Sequence, residues 1–166
     1  MTPAKKAKLS HVNARGAASM VNVGGKTPTE RCAVAEGCIT MSATALKAVR
    51  ANAITKGDVL AVARIAGIQA AKRTAELIPL CHPLALTDVQ VEFRVIVGTK
   101  TIRATSTVRT VGPTGVEMEA LTAVSVALLT AYDMLKALDK TMRIDGIRLL
   151  EKRGGRSGHW KAEDAP

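Results

Sequence analysis

The sequence predicts an α+β domain in which an antiparallel sheet carries two main helices on one face. Three features support this prediction: strand-like alternation between residues 88 and 109, an Ala-rich helical pattern after residue 58, and a second helical pattern at 116–138. With a strand before the first helix and another after the second, the order is strand, helix, strand, strand, helix, strand. This order is typical of the ferredoxin-like, split βαβ fold.

The chain before the first main helix predicts an arm, two strands and a short helix. Residues 1–18 are polar and rich in Gly, Ala and Lys, so we expect a flexible N-terminal arm. Short strands are predicted at 19–23 and 31–41, the second of them broken by Gly37. Ser42 follows, and because serine is a favoured N-cap, a short helix is expected after it.

The next segments predict the first main helix and a β-hairpin. Asp58 is a natural N-cap for a helix that runs until Pro79, where the chain cannot continue the helix. Between residues 88 and 97, Val and Phe alternate with polar side chains, and after a short turn the alternation continues to Arg109. Because a strand repeats every two residues, one face of the hairpin is apolar and the other is polar.

The second main helix, at 116–138, has apolar residues on more than one side. Leu128 belongs to its core stripe, whereas Val126 and Leu129 lie outside that stripe. A small domain rarely buries two faces of one helix, so we expect an interface between copies of the chain. A last strand is predicted around residues 144–149.

Length and composition favour one domain, residues 19–153, followed by a flexible basic tail at 154–166. The chain has 166 residues, of which 47% are hydrophobic and only 2% aromatic. The formal net charge of +10 suits an anionic partner, but the scarcity of aromatics argues against base-stacking nucleic-acid modules. No apolar run is long enough for a membrane span and no export signal is visible, so we expect a cytoplasmic protein.

The cysteines and histidines do not form a metal-binding pattern. Cys32, Cys38 and Cys81 show no CxxC spacing, and the three histidines are scattered along the chain. An odd number of cysteines without an export signal is typical of free thiols in a reducing compartment. We therefore expect neither a bound metal nor a cofactor.

Asp133 and Lys136 allow two interpretations. They are three residues apart in a predicted helix and so lie on one face. The simpler interpretation is a surface ion pair, which contributes little to stability. The alternative is a carboxylate–amine couple that transfers protons.

Other polar residues also have both a structural and a functional interpretation. Lys56 precedes a helix N-terminus, where a lysine can contact phosphate. Lys72-Arg73 can cap a helix dipole or clamp a phosphate. Thr114 and Glu117 form a capping-box pattern, while His82 on its own is an ordinary loop histidine. From the residues alone, the sequence indicates a basic α+β domain with a phosphate site.

Three motifs carry a more specific resemblance. The segments AGIQAAKRT, LIPLCHPL and TGVEMEALT are similar to those of the cyclic pyranopterin monophosphate synthases, the protein C family of molybdenum cofactor biosynthesis, and the resemblance extends over nearly the whole chain. It implies a lyase that converts a cyclised dihydroguanosine triphosphate into cyclic pyranopterin monophosphate and diphosphate. It also implies a homohexamer, built as a trimer of dimers, with sites at the subunit interfaces and no membrane or nucleic-acid partner.

The resemblance also assigns expected roles to individual residues. The catalytic acid–base residues would be Lys56, Asp133 and Lys136. The substrate would be lined by Leu80, Cys81, His82, Met118 and Glu119, and its triphosphate would be bound by Arg31, Lys72, Arg73 and Lys152. Two positions depart from the family pattern: Asn22 stands where Asp is expected, and Pro113 where a basic residue is common.

A nucleic-acid-binding module of the same fold is the competing hypothesis, suggested by the net charge. Such modules stack bases on aromatic side chains of their central strands. Here those strands offer only Phe93, on the predicted apolar face. A catalytically dead scaffold is a third hypothesis, and it would predict loss of the proposed catalytic residues, all of which are present.

Overall fold

A computed structural model describes residues 16–55, 57–156 and 158–163. Its elements are β1 (Thr29–Thr40), α1 (Ala43–Arg50), α2 (Val59–Lys72), α3 (Thr74–Leu77), β2 (Leu86–Ile96), β3 (Thr101–Gly112), α4 (Glu117–Leu135), β4 (Arg143–Arg153) and β5 (His159–Lys161). The strands form one sheet in the order β2-β3-β1-β4-β5, and all neighbours are antiparallel. The first four strands have the ferredoxin-like order, and the predicted fold class is confirmed.

The core lies between the sheet and two long helices. Helices α2 and α4 contact each other along their length, and α4 contacts β1, β3 and β4. Side chains from the sheet (Ile39, Ile102) and from α4 (Val124, Leu128) are completely buried between the layers. By length and composition α4 could cross a membrane, but its apolar residues form the centre of this core.

Gly37 does not break β1, contrary to the sequence prediction. The strand runs through it, and only its register with β4 shifts, between Glu36 and Cys38. A Cβ at Gly37 would lie 2.9 Å from both Leu128 Cδ1 and Val124 Cγ1. The glycine therefore allows α4 to approach the sheet closely.

Local hydrogen bonding accounts for the helix boundaries. Ser42 and Asp58 accept hydrogen bonds from the backbone N–H groups of Ala45 and Ala61, as N-caps do. Both predicted caps are confirmed. The single helix predicted to extend to Pro79 is wrong, because α2 ends at Lys72 and a separate short helix follows.

Two further features differ from the sequence prediction. The strand predicted at 19–23 is absent, and the neighbouring Ala18 makes an isolated β-bridge. Conversely, β5 was not predicted, and it pairs with the end of β4 through Lys152↔Trp160 and its neighbours. The boundaries of the arm and of the tail stay predictions.

Candidate active site

The N-terminal end of α4 borders a groove made of three adjoining cavities. Their volumes are about 720 Å³, 320 Å³ and 120 Å³. The first two share Lys26 and Glu117, and the second and third share His82 and Glu119. Residues from widely separated parts of the chain therefore line one continuous surface.

The first cavity is strongly basic. Five basic side chains and one carboxylate, Glu117, line it. The basic residues are Lys26, Arg31, Lys152, Arg153 and Arg156. A concave surface with this excess of positive charge suits a polyanion such as a triphosphate.

Glu117 has a different role from the one its position suggested. Helix α4 begins after Val116 with no side-chain cap, so the capping box predicted from Thr114 and Glu117 is absent. The Glu117 carboxylate instead accepts a hydrogen bond from Lys152 Nζ at 3.0 Å, in an ion pair that is about two-thirds buried. Sequence reasoning missed this contact because the partners are 35 residues apart.

The second cavity brings together the two motifs predicted to line the substrate. Leu80, Cys81 and His82 enter it from the loop before β2, and Met118 and Glu119 enter it from α4. His82 Nε2 donates a hydrogen bond to the carbonyl of Val21 at 2.8 Å. Because a carbonyl can only accept, Nε2 carries a hydrogen and His82 ties the segment around Val21 across the groove.

Burial shapes the titration of two groups in this cavity. Glu119 is only 4% exposed, and this desolvation raises its carboxyl pKa; the hydrogen bond from its own backbone N–H opposes the rise, and the charge of Glu117 adds to it. Burial, followed by the negative charge of Glu119, raises the pKa of the Cys81 thiol. The Cys81 thiol therefore stays protonated, and it is better suited to lining the cavity than to acting as a nucleophile.

Lys72 and Arg73 lie in the third cavity, beside His82 and Glu119. The four basic residues predicted for the triphosphate therefore fall into two groups. Arg31 and Lys152 line the first cavity, and the other two lie at the far end of the groove.

Asp133 and Lys136 lie at the opposite end of α4. Lys136 Nζ is 2.6 Å from Asp133 Oδ1, and both side chains are more than half exposed in the single chain. The hydrogen bond that Lys136 donates to Asp133, and then the negative charge of Asp133, raise the pKa of Lys136. Since α4 has 19 residues, its ends are about 28 Å apart, and one chain does not bring this pair to its own groove.

Comparison with known proteins shows the family of this chain. Residues 20–155 match the MoaC family. The chain belongs to the MoaC family. Among its relatives named "Cyclic pyranopterin monophosphate synthase", the protein from Methylobacterium sp. (strain 4-46) is 59% identical over 96% of this chain and 99% of the relative. The Chloroflexus aggregans protein is 57% identical over 95% and 96% of the two chains, and the Novosphingobium aromaticivorans protein is 59% identical over 94% and 98%.

In this MoaC-family chain, the remaining predicted site residue, Lys56, lies outside the described residues. The two departures from the family pattern have defined places. Pro113 lines the basic cavity, where it supplies no charge, and Asn22 accepts a hydrogen bond from the N–H of Gly24 at 2.9 Å. Among the described residues, no group of three His, Cys, Asp or Glu side chains could hold a metal ion.

Proposed function

We propose that this protein converts a cyclised dihydroguanosine triphosphate into cyclic pyranopterin monophosphate and diphosphate. The observation that supports this most strongly is the groove itself, in which a large basic cavity adjoins a smaller one with the buried carboxyl of Glu119. The basic cavity suits the triphosphate, and the smaller cavity suits the purine-derived rings.

The two parts of the reaction need different groups. Formation of the cyclic phosphate requires a substrate hydroxyl to attack the α-phosphorus, while the bond to the bridging oxygen breaks and diphosphate leaves. Arg31 and Lys152 would stabilise the negative charge on the leaving diphosphate. Ring opening and re-closure require proton transfers to nitrogen and from oxygen or carbon, which Lys56 and the Asp133–Lys136 pair would perform. The reaction involves no net redox change.

Residues of the second and third cavities would orient the rings. Leu80 to His82 and Met118 would contact the ring faces, and Glu119 would bind a ring nitrogen. Lys72 and Arg73 would approach the substrate from the other end of the groove. Because they line a different cavity from Arg31, they would contact a different part of the substrate from the diphosphate.

The distant Asp133–Lys136 pair requires a second copy of the chain. We infer a homohexamer, a trimer of dimers, in which this pair completes the groove of another subunit. The outer side of the helical layer supports an interface, because Leu129 and Ile65 are 57% and 58% exposed in the single chain. The three free cysteines, Cys32, Cys38 and Cys81, favour a cytoplasmic location.

The nucleic-acid hypothesis has less support. Phe93 packs against the core beneath the helices, and the guanidinium of Arg64 lies 5.9 Å from its ring centroid. On the open face of the sheet, Arg103 and Arg148 both pair with Glu36. Phe93 is therefore not a free surface for base stacking, and Arg103 and Arg148 are already paired.

The activity is tested by incubation with the cyclised nucleotide, with pterin and diphosphate measured as products. We expect both products in equal amounts. Release of diphosphate without the pterin product would contradict the proposal and indicate simple hydrolysis.

The shared site is tested by subunit mixing. Lys152→Ala and Lys136→Ala remove groups at opposite ends of α4, and each variant alone should be nearly inactive. If one site uses both groups from different chains, unfolding and refolding the two variants together should restore part of the activity. Each variant refolded alone is the control, and a mixture no more active than these controls would contradict the shared site.

A further inference from the structure

Arg31 is held in the basic cavity by groups that carry no charge. Its Nε donates a hydrogen bond to the carbonyl of Gly112 at 3.4 Å, and its guanidinium lies against the backbone at Gly155. Within the described part of the chain no carboxylate pairs with Arg31, whereas Lys152 is paired with Glu117. Within the described residues, therefore, no carboxylate competes with an incoming anion for Arg31.

The contact with Arg31 leaves no space for a side chain at Gly155. A Cβ at this position would lie 2.6 Å from Arg31 Cζ and would overlap one of its terminal nitrogens. At the neighbouring Gly154, a Cβ would overlap the carbonyl oxygen of Glu30. The turn thus lies directly on the segment that carries Arg31.

Two hydrogen bonds and a strand hold this turn in place. The N–H of Gly154 donates to the carbonyl of Gly158 at 3.0 Å, and the N–H of Gly158 donates to the carbonyl of Gly155 at 3.1 Å. Strand β5 then pairs with β4. Gly154 and Gly155 are therefore held between β4 and β5, and the Arg31 side chain rests against Gly155.

We propose that Gly155 is a positioning residue for anion binding. Because it has no side chain, the Arg31 guanidinium can lie against its backbone, in the orientation that binds the diphosphate part of the substrate. The proposal rests on the proposed function, because it assigns the basic cavity to the triphosphate. A guanidinium binds phosphate oxygens through two parallel N–H donors, so its orientation matters as well as its charge. Arg156, from the same turn, lines the cavity on the same side.

The test compares two glycines of this turn that share a positive φ. Gly155 has φ of +72° and Gly158 has φ of +62°, but a Cβ at Gly158 would meet nothing within 4 Å. Alanine at either position is strained, and only at Gly155 does it also displace Arg31. Each substitution is made in the full chain with Arg31 present and in an Arg31→Ala background, and binding of inorganic pyrophosphate is measured by calorimetry.

We expect Gly155→Ala to weaken pyrophosphate binding by about 10-fold or more when Arg31 is present, and Gly158→Ala to have a much smaller effect. In the Arg31→Ala background, the two substitutions should have the same small effect. With the cyclised nucleotide, Gly155→Ala should lower kcat/KM when Arg31 is present, and this loss should disappear in the Arg31→Ala background. Equal losses from Gly155→Ala in both backgrounds would overturn the proposal, since they would show a general effect on the turn.

A second variant keeps the proposal testable if Gly155→Ala does not fold. Arg31→Lys retains the charge but lacks the planar fork, so pyrophosphate binding should fall about 10-fold or more here too; unchanged binding would overturn the proposal. The proposed function fails separately: if the wild-type protein does not convert the cyclised nucleotide while the pyrophosphate pattern holds, the positioning role stands and the reaction assignment does not.

Discussion

An amine–carboxylate ion pair lies at each end of α4, but the two pairs have different surroundings. At the N-terminal end, Lys152 and Glu117 form an ion pair that is about two-thirds buried and lines a cavity. At the C-terminal end, Lys136 and Asp133 form a shorter pair that is more than half exposed. An amine–carboxylate pair at an exposed position contributes little to stability. The proposed catalytic role of the C-terminal pair therefore rests on the proposed second subunit, whereas the N-terminal pair already lines a cavity of its own chain.

Substitution of the exposed pair should have the largest effect on the chemistry. It tests most directly whether the two pairs differ in function. If the pair transfers protons, Lys136→Ala and Asp133→Asn should each lower single-turnover product formation by about 10² or more. The double variant should be about as slow as the slower single variant, because the two groups act as one unit. Thermal unfolding should change little.

The matched control is Lys140→Ala, another exposed lysine close to the same end of α4. Its turnover should match that of the wild type. A near-wild-type rate for Lys136→Ala would instead show that the residues form only a surface ion pair. A loss of rate in the double variant equal to the product of the two single losses would show the same.

Substitution in the middle of α4's contact with the sheet should affect stability and not chemistry. Gly37→Ala would place a methyl group 2.9 Å from the side chains of Leu128 and Val124. Such overpacking costs about 1–3 kcal/mol, which a denaturant titration measures. Gly98→Ala is the control, because a Cβ there meets nothing within 4 Å, and its effect should be within about 0.5 kcal/mol. Equal stability of both variants would contradict the close helix–sheet approach.

The smallest expected effect concerns the buried carboxyl near the N-terminal end. Because burial raises the pKa of Glu119, the folded state binds this proton more tightly than the unfolded state. The favourable contribution is therefore complete below the ordinary glutamate pKa of about 4.3 and is lost as the pH rises through the raised value. Glu119→Gln should consequently gain stability relative to wild type as the pH rises through this window.

Thermal unfolding of both proteins between pH 4 and 8 measures this difference, at about equal ionic strength. Glu92→Gln, at an exposed position of β2, controls for the loss of one negative charge. A stability difference between Glu119→Gln and wild type that is constant with pH, or that falls as the pH rises, would contradict the raised pKa.

Local features of the fold were predictable from the sequence because they depend on near neighbours. The caps at Ser42 and Asp58 join groups three residues apart, and the hairpin follows from the alternation of its side chains. The split of the helix after Lys72 was not predictable in this way. The chain has no proline or glycine at the break. The Thr74 hydroxyl there donates hydrogen bonds to the carbonyls of Ala70 and Ala71.

The motifs predicted which segments line the candidate site more completely than they predicted its basic residues. The segments around His82 and Glu119 do meet in one cavity. The contribution of Lys26 was missed, because it lies in a Gly-rich stretch without an element pattern. The sequence predicts only a tail at the position of Arg156, because no local pattern indicates that β5 pairs with β4 and brings this residue back to the cavity.

The sequence by itself determined the order of the four long strands and the two long helices, the apolar faces and the family, because these follow from periodicity and from contiguous motifs. The tertiary structure alone decided how close α4 lies to Gly37, that Glu117 pairs with Lys152, and that Arg31 rests on Gly155. Each of these contacts joins residues far apart in the chain. Its geometry therefore depends on how the whole sheet and its helices pack, which no local pattern specifies.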